Sequence, residues 1–159
     1  MALEAAVVYD LCHERIVDLG RWDYVSHQVI ASPFKPIDYM DKIDVLAARY
    51  LTDTKITCKY LTVELKKDEA EKSTIDQILK YVDWVCTEYA YGDYEMIEAC
   101  IIAAGYEEGM DRYYREVVQR HYTQGSHPVR NKQWNNLKLL KYTCVDGEIV
   151  YEDVTPPLR

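Results

Sequence analysis

The chain has 159 residues, 48% hydrophobic and 29% charged, with a formal net charge of −8. That length suits one domain with a substantial core, and the acidic balance excludes a generic polyphosphate coat, whose binding is driven largely by Lys and Arg. No apolar run approaches the ~20 residues that cross a bilayer, and MALEAAVVYDLCHER carries acids where a signal peptide needs basic residues, so a cytoplasmic protein with no membrane partner is expected.

Cys12, Cys58, Cys86, Cys100 and Cys144 form an odd set with no close pair and read as reduced core residues. His13, His27, His121 and His127 show no ligand spacing, which argues against a zinc enzyme.

In chain order, residues 3–18 read as a helix with Leu3, Val7 and Leu11 on one stripe, Glu4 in the first turn and Gly20 as a stop. Residues 22–31 are β-rich and end at SPFKP; within them Gln28 shares a face with Tyr24, Ser26 and Ile30. A second strand over 42–50 holds Asp44 between Ile43 and Val45, where an isolated carboxylate does not suit a simple core strand. TDTK at 52–55 turns the chain into a third strand over 56–66. There Leu61, Val63 and Leu65 fill one face while Thr62, Glu64 and Lys66 share the other, so a carboxylate and an ammonium sit side by side on a strand that packs into a core. Such charges are paired, hydrated in a cleft or holding an ion.

KDEAEKS reads as a polar turn, followed by a helix that Ser73 can cap. Ile75, Ile78, Leu79, Val82 and Val85 form its buried stripe, and Gln77 and Tyr81 lie one turn apart on an adjacent face. The apolar run over 95–104 suits a central, crossover-connected strand. A helix over 107–122, a loop TQGSHPVRNKQ, a hairpin of 137–145 with 148–154 about Asp146-Gly147, and a TPPLR tail complete the chain. From Arg112 to Lys141, seven basic residues including Arg130 and Lys132 face the single acid Glu116, either a solvated face or a phosphate-tracking surface. Fifteen tyrosines against one phenylalanine suggest amphipathic surfaces suited to partners.

The order strand Asp44, strand Glu64-x-Lys66, helix Gln77-x-x-x-Tyr81 resembles the PD-(D/E)xK nuclease superfamily. Within it, IDVLA, TVELKKDEAEKSTIDQILKYVDWV and ACIIAAGY look like the RecB-like nuclease domain of the NucS (DUF91) type, over residues 1–123. The resemblance implies an α/β, restriction-endonuclease-like fold: a central mixed sheet flanked by helices, with the site at one sheet edge. It gives one nuclease-like domain over 1–159, its core in about 1–123 and a C-terminal hairpin in about 137–154. It also implies that an acid of the first helix, Glu4 in competition with Asp10 and Glu14, reaches the metal site, that Gln28 is the strand polar residue before the Asp strand, and that Tyr81 supports the site.

Phosphodiester hydrolysis needs a charge-neutralising centre, an activated water and a group that holds it in line. Asp44, Glu64 and the Leu65 carbonyl are hard oxygens suited to Mg²⁺ or Mn²⁺. Lys66 would orient or deprotonate the water, and Gln77 would fix Lys66 or a phosphate. The expected function is metal-dependent endo- or exonucleolytic cleavage of nucleic acid, DNA before RNA, with Gln28, Tyr81, Arg130 and Lys132 toward substrate. A separate nucleic-acid-binding domain, which NucS-type proteins carry, is missing from this sequence, so a homodimer or a targeting subunit is expected to direct it. The rivals are an inactive PD-(D/E)xK-fold binding or scaffolding subunit, a Schiff-base enzyme using Lys66, and a purely structural Glu64 to Lys66 ion pair.

Overall fold

The computed structural model describes residues 3–31 and 41–158; the SPFKP loop lies outside them. Its elements are α1 (Leu3–Cys12), β1 (Tyr24–Ile30), β2 (Lys42–Tyr50), β3 (Thr57–Ala70), α2 (Lys72–Glu88), β4 (Ile97–Tyr106), α3 (Met110–Val117), β5 (Arg120–Gln124), β6 (Arg130–Trp134), β7 (Leu137–Val145) and β8 (Glu148–Asp153). Six strands form one sheet in the order β1-β2-β3-β4-β7-β8. β1, β2 and β3 pair antiparallel, β3, β4 and β7 pair parallel, and β8 closes the far edge antiparallel to β7. The sheet is therefore mixed, with helices on both faces, as expected.

Strand parity divides the core in two. Ile97, Ala99, Ile101 and Ala103 of β4 pack toward α2, with Ile75, Ile78, Leu79, Val82 and Val85, while Cys100 and Ile102 pack toward α1 with Val7, Leu11, Leu61 and Val63. The near-continuous apolar run of β4 thus reflects burial on both faces, and each fully buried aliphatic side chain contributes about 1.5–3 kcal/mol. The hairpin between β7 and β8 forms at the expected place: Asp146 and Gly147 both take positive φ, 50° and 86°, as a two-residue type I′ turn requires. Among the described residues no helix is long and apolar enough to cross a membrane.

Several boundaries differ from expectation. The first helix stops at Cys12 instead of 18, because Glu14 adopts φ 58° and the chain turns left-handed there. β3 continues through the expected KDEAEKS turn to Ala70, held by the pairs Glu69↔Gly105 and Ala70↔Tyr106 beyond an irregularity after Lys66. Helix α2 consequently starts at Lys72 behind Glu71, which makes no side-chain cap bond, and Ser73 is not the cap. The helix expected over 107–122 shrinks to Met110–Val117, and the sequence after it forms β5, antiparallel to β6, in a separate two-stranded sheet. Arg120 bound to Asp83 at 3.1 Å, and the Tyr122 ring packed at a tilt 5.2 Å from that of Tyr94, draw that segment out of the helix. Cys86 and Cys100 are buried as expected, but Cys12 and Cys144 are exposed; all five thiols are free.

Candidate active site

The site begins where two strands part. Pairing of β2 with β3 ends at Val45↔Val63; continuing that register would place Asp44 opposite Glu64 and Ile43 opposite Leu65, and neither pair forms. The Asp44 side chain occupies the gap instead, accepting the Leu65 backbone N–H at 2.8 Å through Oδ2. A strand residue's N–H and C=O face the same neighbour, so the Leu65 carbonyl looks into the same fork. The acids lie on β2 and β3, the second and third of six strands, whereas the site was expected at one sheet edge.

Glu64 lies within this fork, 3% exposed. Lys66 Nζ donates to its Oε1 at 2.9 Å, the pairing that strand alternation predicts, while Oε2 is buried without a partner among the described residues. Burial foremost, and then the Asp44 charge beside it, raise the Glu64 carboxyl to about 7 against the pull of Lys66. Asp44 is also raised, by burial above all and further by the Glu4 charge, although the Leu65 N–H, Lys66 and Gln28 stabilise its anion. Two crowded carboxylates, one with an orphaned oxygen, gain from a cation and resist sharing the space without one.

Of the three candidate acids Glu4, Asp10 and Glu14, of which α1 holds only the first two, Glu4 is the one turned toward this pair. Its carboxylate meets His27 Nδ1 at 2.9 Å and shares a cleft of about 680 Å³ with Asp44, Leu65, Lys67 and Tyr142. Asp10 instead accepts the Tyr151 hydroxyl at 2.7 Å, and Glu14 sits 3.9 Å from Arg21. Among the described residues no three His, Cys, Asp or Glu side chains gather closely enough to hold an ion. Glu4 is therefore near the pair without closing a three-carboxylate cage. Gln28 lies opposite Asp44 on β1 and donates to its Oδ1 at 3.3 Å.

On the α2 side, Gln77 donates to the Tyr81 hydroxyl at 2.9 Å, so its amide is directed to Tyr81. Burial mainly, and then the charges of Glu64, Asp41 and Asp44, push that hydroxyl up to about 12 despite the Gln77 bond, so it stays protonated at neutral pH. Arg130 and Lys132 are not brought to the fork. They lie on β6, where Lys132 reaches Glu95 at 2.5 Å, and the neighbouring Trp134 indole donates to Ile97, the first residue of β4. Glu64 pairs with Ile101, four residues further along β4, roughly 13 Å at strand rise. The basic stretch is also less positive than its sequence reads, because Arg115 meets Asp111, Arg120 meets Asp83 and Lys138 meets Asp153.

His27 is the site-side group that the sequence pattern did not single out. Its only signal was adjacency to Gln28, whose left-handed backbone no composition rule foretells.

No family model matches the sequence, and no curated protein matches it. Similar solved structures include a repair endonuclease from Pyrococcus abyssi, at 20% identity and TM-score 0.48, over 74% of this chain and 44% of that one. Another is the EndoMS-dsDNA2 complex, at 20% identity and TM-score 0.43, over 73% of this chain and 43% of that one. This chain thus spans under half the length of the structures it matches. The likeness is one of chain path and carries no activity over to this protein.

Proposed function

We propose that this chain is a metal-dependent nuclease that hydrolyses phosphodiester bonds of nucleic acid, DNA first among the substrates to test. The observation that carries the reading is the buried Glu64 carboxylate, with Oε2 unpartnered among the described residues and its proton affinity raised, between the Asp44 anion and the Lys66 ammonium. The charge crowding and the hard oxygens of Asp44, Glu64 and the Leu65 carbonyl fit Mg²⁺ or Mn²⁺. Two carboxylates with solvent and phosphate oxygens suffice for Mg²⁺, which keeps several waters.

When bound, such an ion supplies charge neutralisation at the scissile phosphate and lowers the pKa of water. Asp44 and Glu64 hold the site, and the bonds from Leu65 N–H and Gln28 fix the Asp44 rotamer. Lys66 is partly exposed, 34% of its side chain, so its ammonium, when not engaged by Glu64, would reach a water or a phosphate oxygen. There it orients the attacking water, a positioning role of the kind that makes reaction effectively unimolecular. Tyr81, protonated and braced by Gln77, offers a hydroxyl beside Glu64, and Arg130 and Lys132 are proposed to touch substrate away from the reacting phosphate.

The test incubates single-stranded, duplex and branched DNA and RNA with wild type and Glu64→Gln, in Mg²⁺, Mn²⁺ or chelator. Cleavage by wild type alone, abolished by chelator, is expected. A wild type that binds nucleic acid but never cleaves would favour the inactive binding subunit.

A further inference from the structure

The backbone of β1 breaks its alternation at the site. Gln28 takes φ 52° in the middle of the strand, a conformation costly for a residue with a Cβ, by about 1–3 kcal/mol. In a regular strand His27 and Gln28 would face opposite sides, yet both line one pocket against Glu4, Ala5 and Val8 of α1. The kink lets one strand serve two acids. Gln28 reaches Asp44 of β2 at 3.3 Å, and its neighbour His27 reaches Glu4 of α1 at 2.9 Å.

An ionised carboxylate only accepts, so the His27 Nδ1 carries the proton and donates. The pair lies in the open, with 64% of the His27 side chain and 32% of the Glu4 side chain exposed. Exposed pairs of this sort contribute about 0–1 kcal/mol to stability, too little to explain a strained residue beside it as a device for folding. The bond has a positional consequence instead. Glu4 is close enough for its charge to act on Asp44 and is the first-helix acid in the cleft that Asp44 lines.

We propose that His27 is a positioning residue for the metal site: its Nδ1–H holds the Glu4 carboxylate beside Asp44, where Glu4 adds negative charge and accepts hydrogen bonds from water around the cation. This rests on the metal-site reading above and adds a role on β1. Partners that bond directly to metal ligands govern affinity by about 10–100-fold; His27 acts one step further out, through Glu4, so His27→Ala weakens divalent-cation binding by up to about 10-fold, the low end of that range. His27→Asn places an amide N–H near the Nδ1 position and restores most of it.

The measurement is calorimetric Mn²⁺ titration of the full chain as wild type, His27→Ala, His27→Asn and Glu4→Gln, with a thermal melt of each. Weaker binding in His27→Ala and Glu4→Gln, recovery in His27→Asn and unchanged melting temperatures are expected. Wild-type affinity in His27→Ala, or tighter binding because Glu4 is freed, overturns the role of His27 and leaves the metal site standing. So does an Asn variant as weak as Ala, or a fall in affinity matched by a fall in melting temperature. A wild type with no Mn²⁺ affinity overturns the metal site and this role with it.

Discussion

Lys66 Nζ donates to Glu64 Oε1 at 2.9 Å, and the other oxygen of Glu64 is buried with no partner among the described residues. One carboxylate is thus half neutralised and half stranded, which fixes the pH behaviour of the apo chain. Its carboxyl titrates near 4.5 when unfolded and at about 7 when folded, chiefly through burial. Between these values the folded chain binds more protons, so stability falls as pH rises through the window and levels off above it. In chelator, melts from about pH 5 to about pH 8 should show wild type losing on the order of 3 kcal/mol relative to Glu64→Gln. Excess Mg²⁺ should flatten the difference, because the cation favours the ionised form.

Glu4 and Asp10 separate by function. Glu4 stands over the fork with His27, whereas Asp10 is a buried anchor for Tyr151 of β8, 7% exposed. Tyr151→Phe strips a charged, buried acceptor of its bond and should cost about 1.5–3 kcal/mol with Mn²⁺ affinity unchanged. A drop in Mn²⁺ affinity in Tyr151→Phe would return Asp10 to the metal site.

The basic stretch yields a graded expectation. Among the described residues Arg130 shows no ion pair, while Lys132 is held by Glu95. Arg130→Ala should weaken binding to all sequences alike and reduce the salt slope by about 1, and Lys132→Ala should do less because its charge is already partly satisfied. Identical slopes in wild type and both variants would make the stretch a solvated face.

Much of the site was legible because charges in apolar strands are expensive. Asp44 between Ile43 and Val45, and Glu64 alternating with Val63 and Leu65, violated the core pattern, and the structure brings them into one fork. The α2 stripe was legible from its 3.6-residue spacing. What escaped depends on partners distant in sequence. The end of β3 is polar and reads as a turn until β4 supplies its pairs. Residues 118–122 continue a helical pattern until Asp83 and Tyr94 capture Arg120 and Tyr122. Charge counting over Arg112 to Lys141 missed the acids Asp83, Glu95 and Asp153 that other elements supply. The tyrosine excess also gains an account: Tyr106, Tyr114 and Tyr142 donate to the carbonyls of Leu140, Leu137 and Lys67, tying elements together as phenylalanine could not.

Glu64 and Lys66, on one strand face, are proposed to divide metal binding from water positioning, and Lys66→Ala tests that division most directly. It leaves Asp44 and Glu64 in place, so metal and nucleic acid should still bind while cleavage falls by about 10²-fold or more, the range for a lost proton-transfer or water-orienting group. Glu64→Gln should lose metal affinity and cleavage together. The decisive measurement is single-turnover cleavage by Lys66→Ala at saturating Mg²⁺, alongside its Mn²⁺ affinity and its melt. Retained affinity with collapsed cleavage is the predicted result, and wild-type cleavage by a folded Lys66→Ala would contradict it.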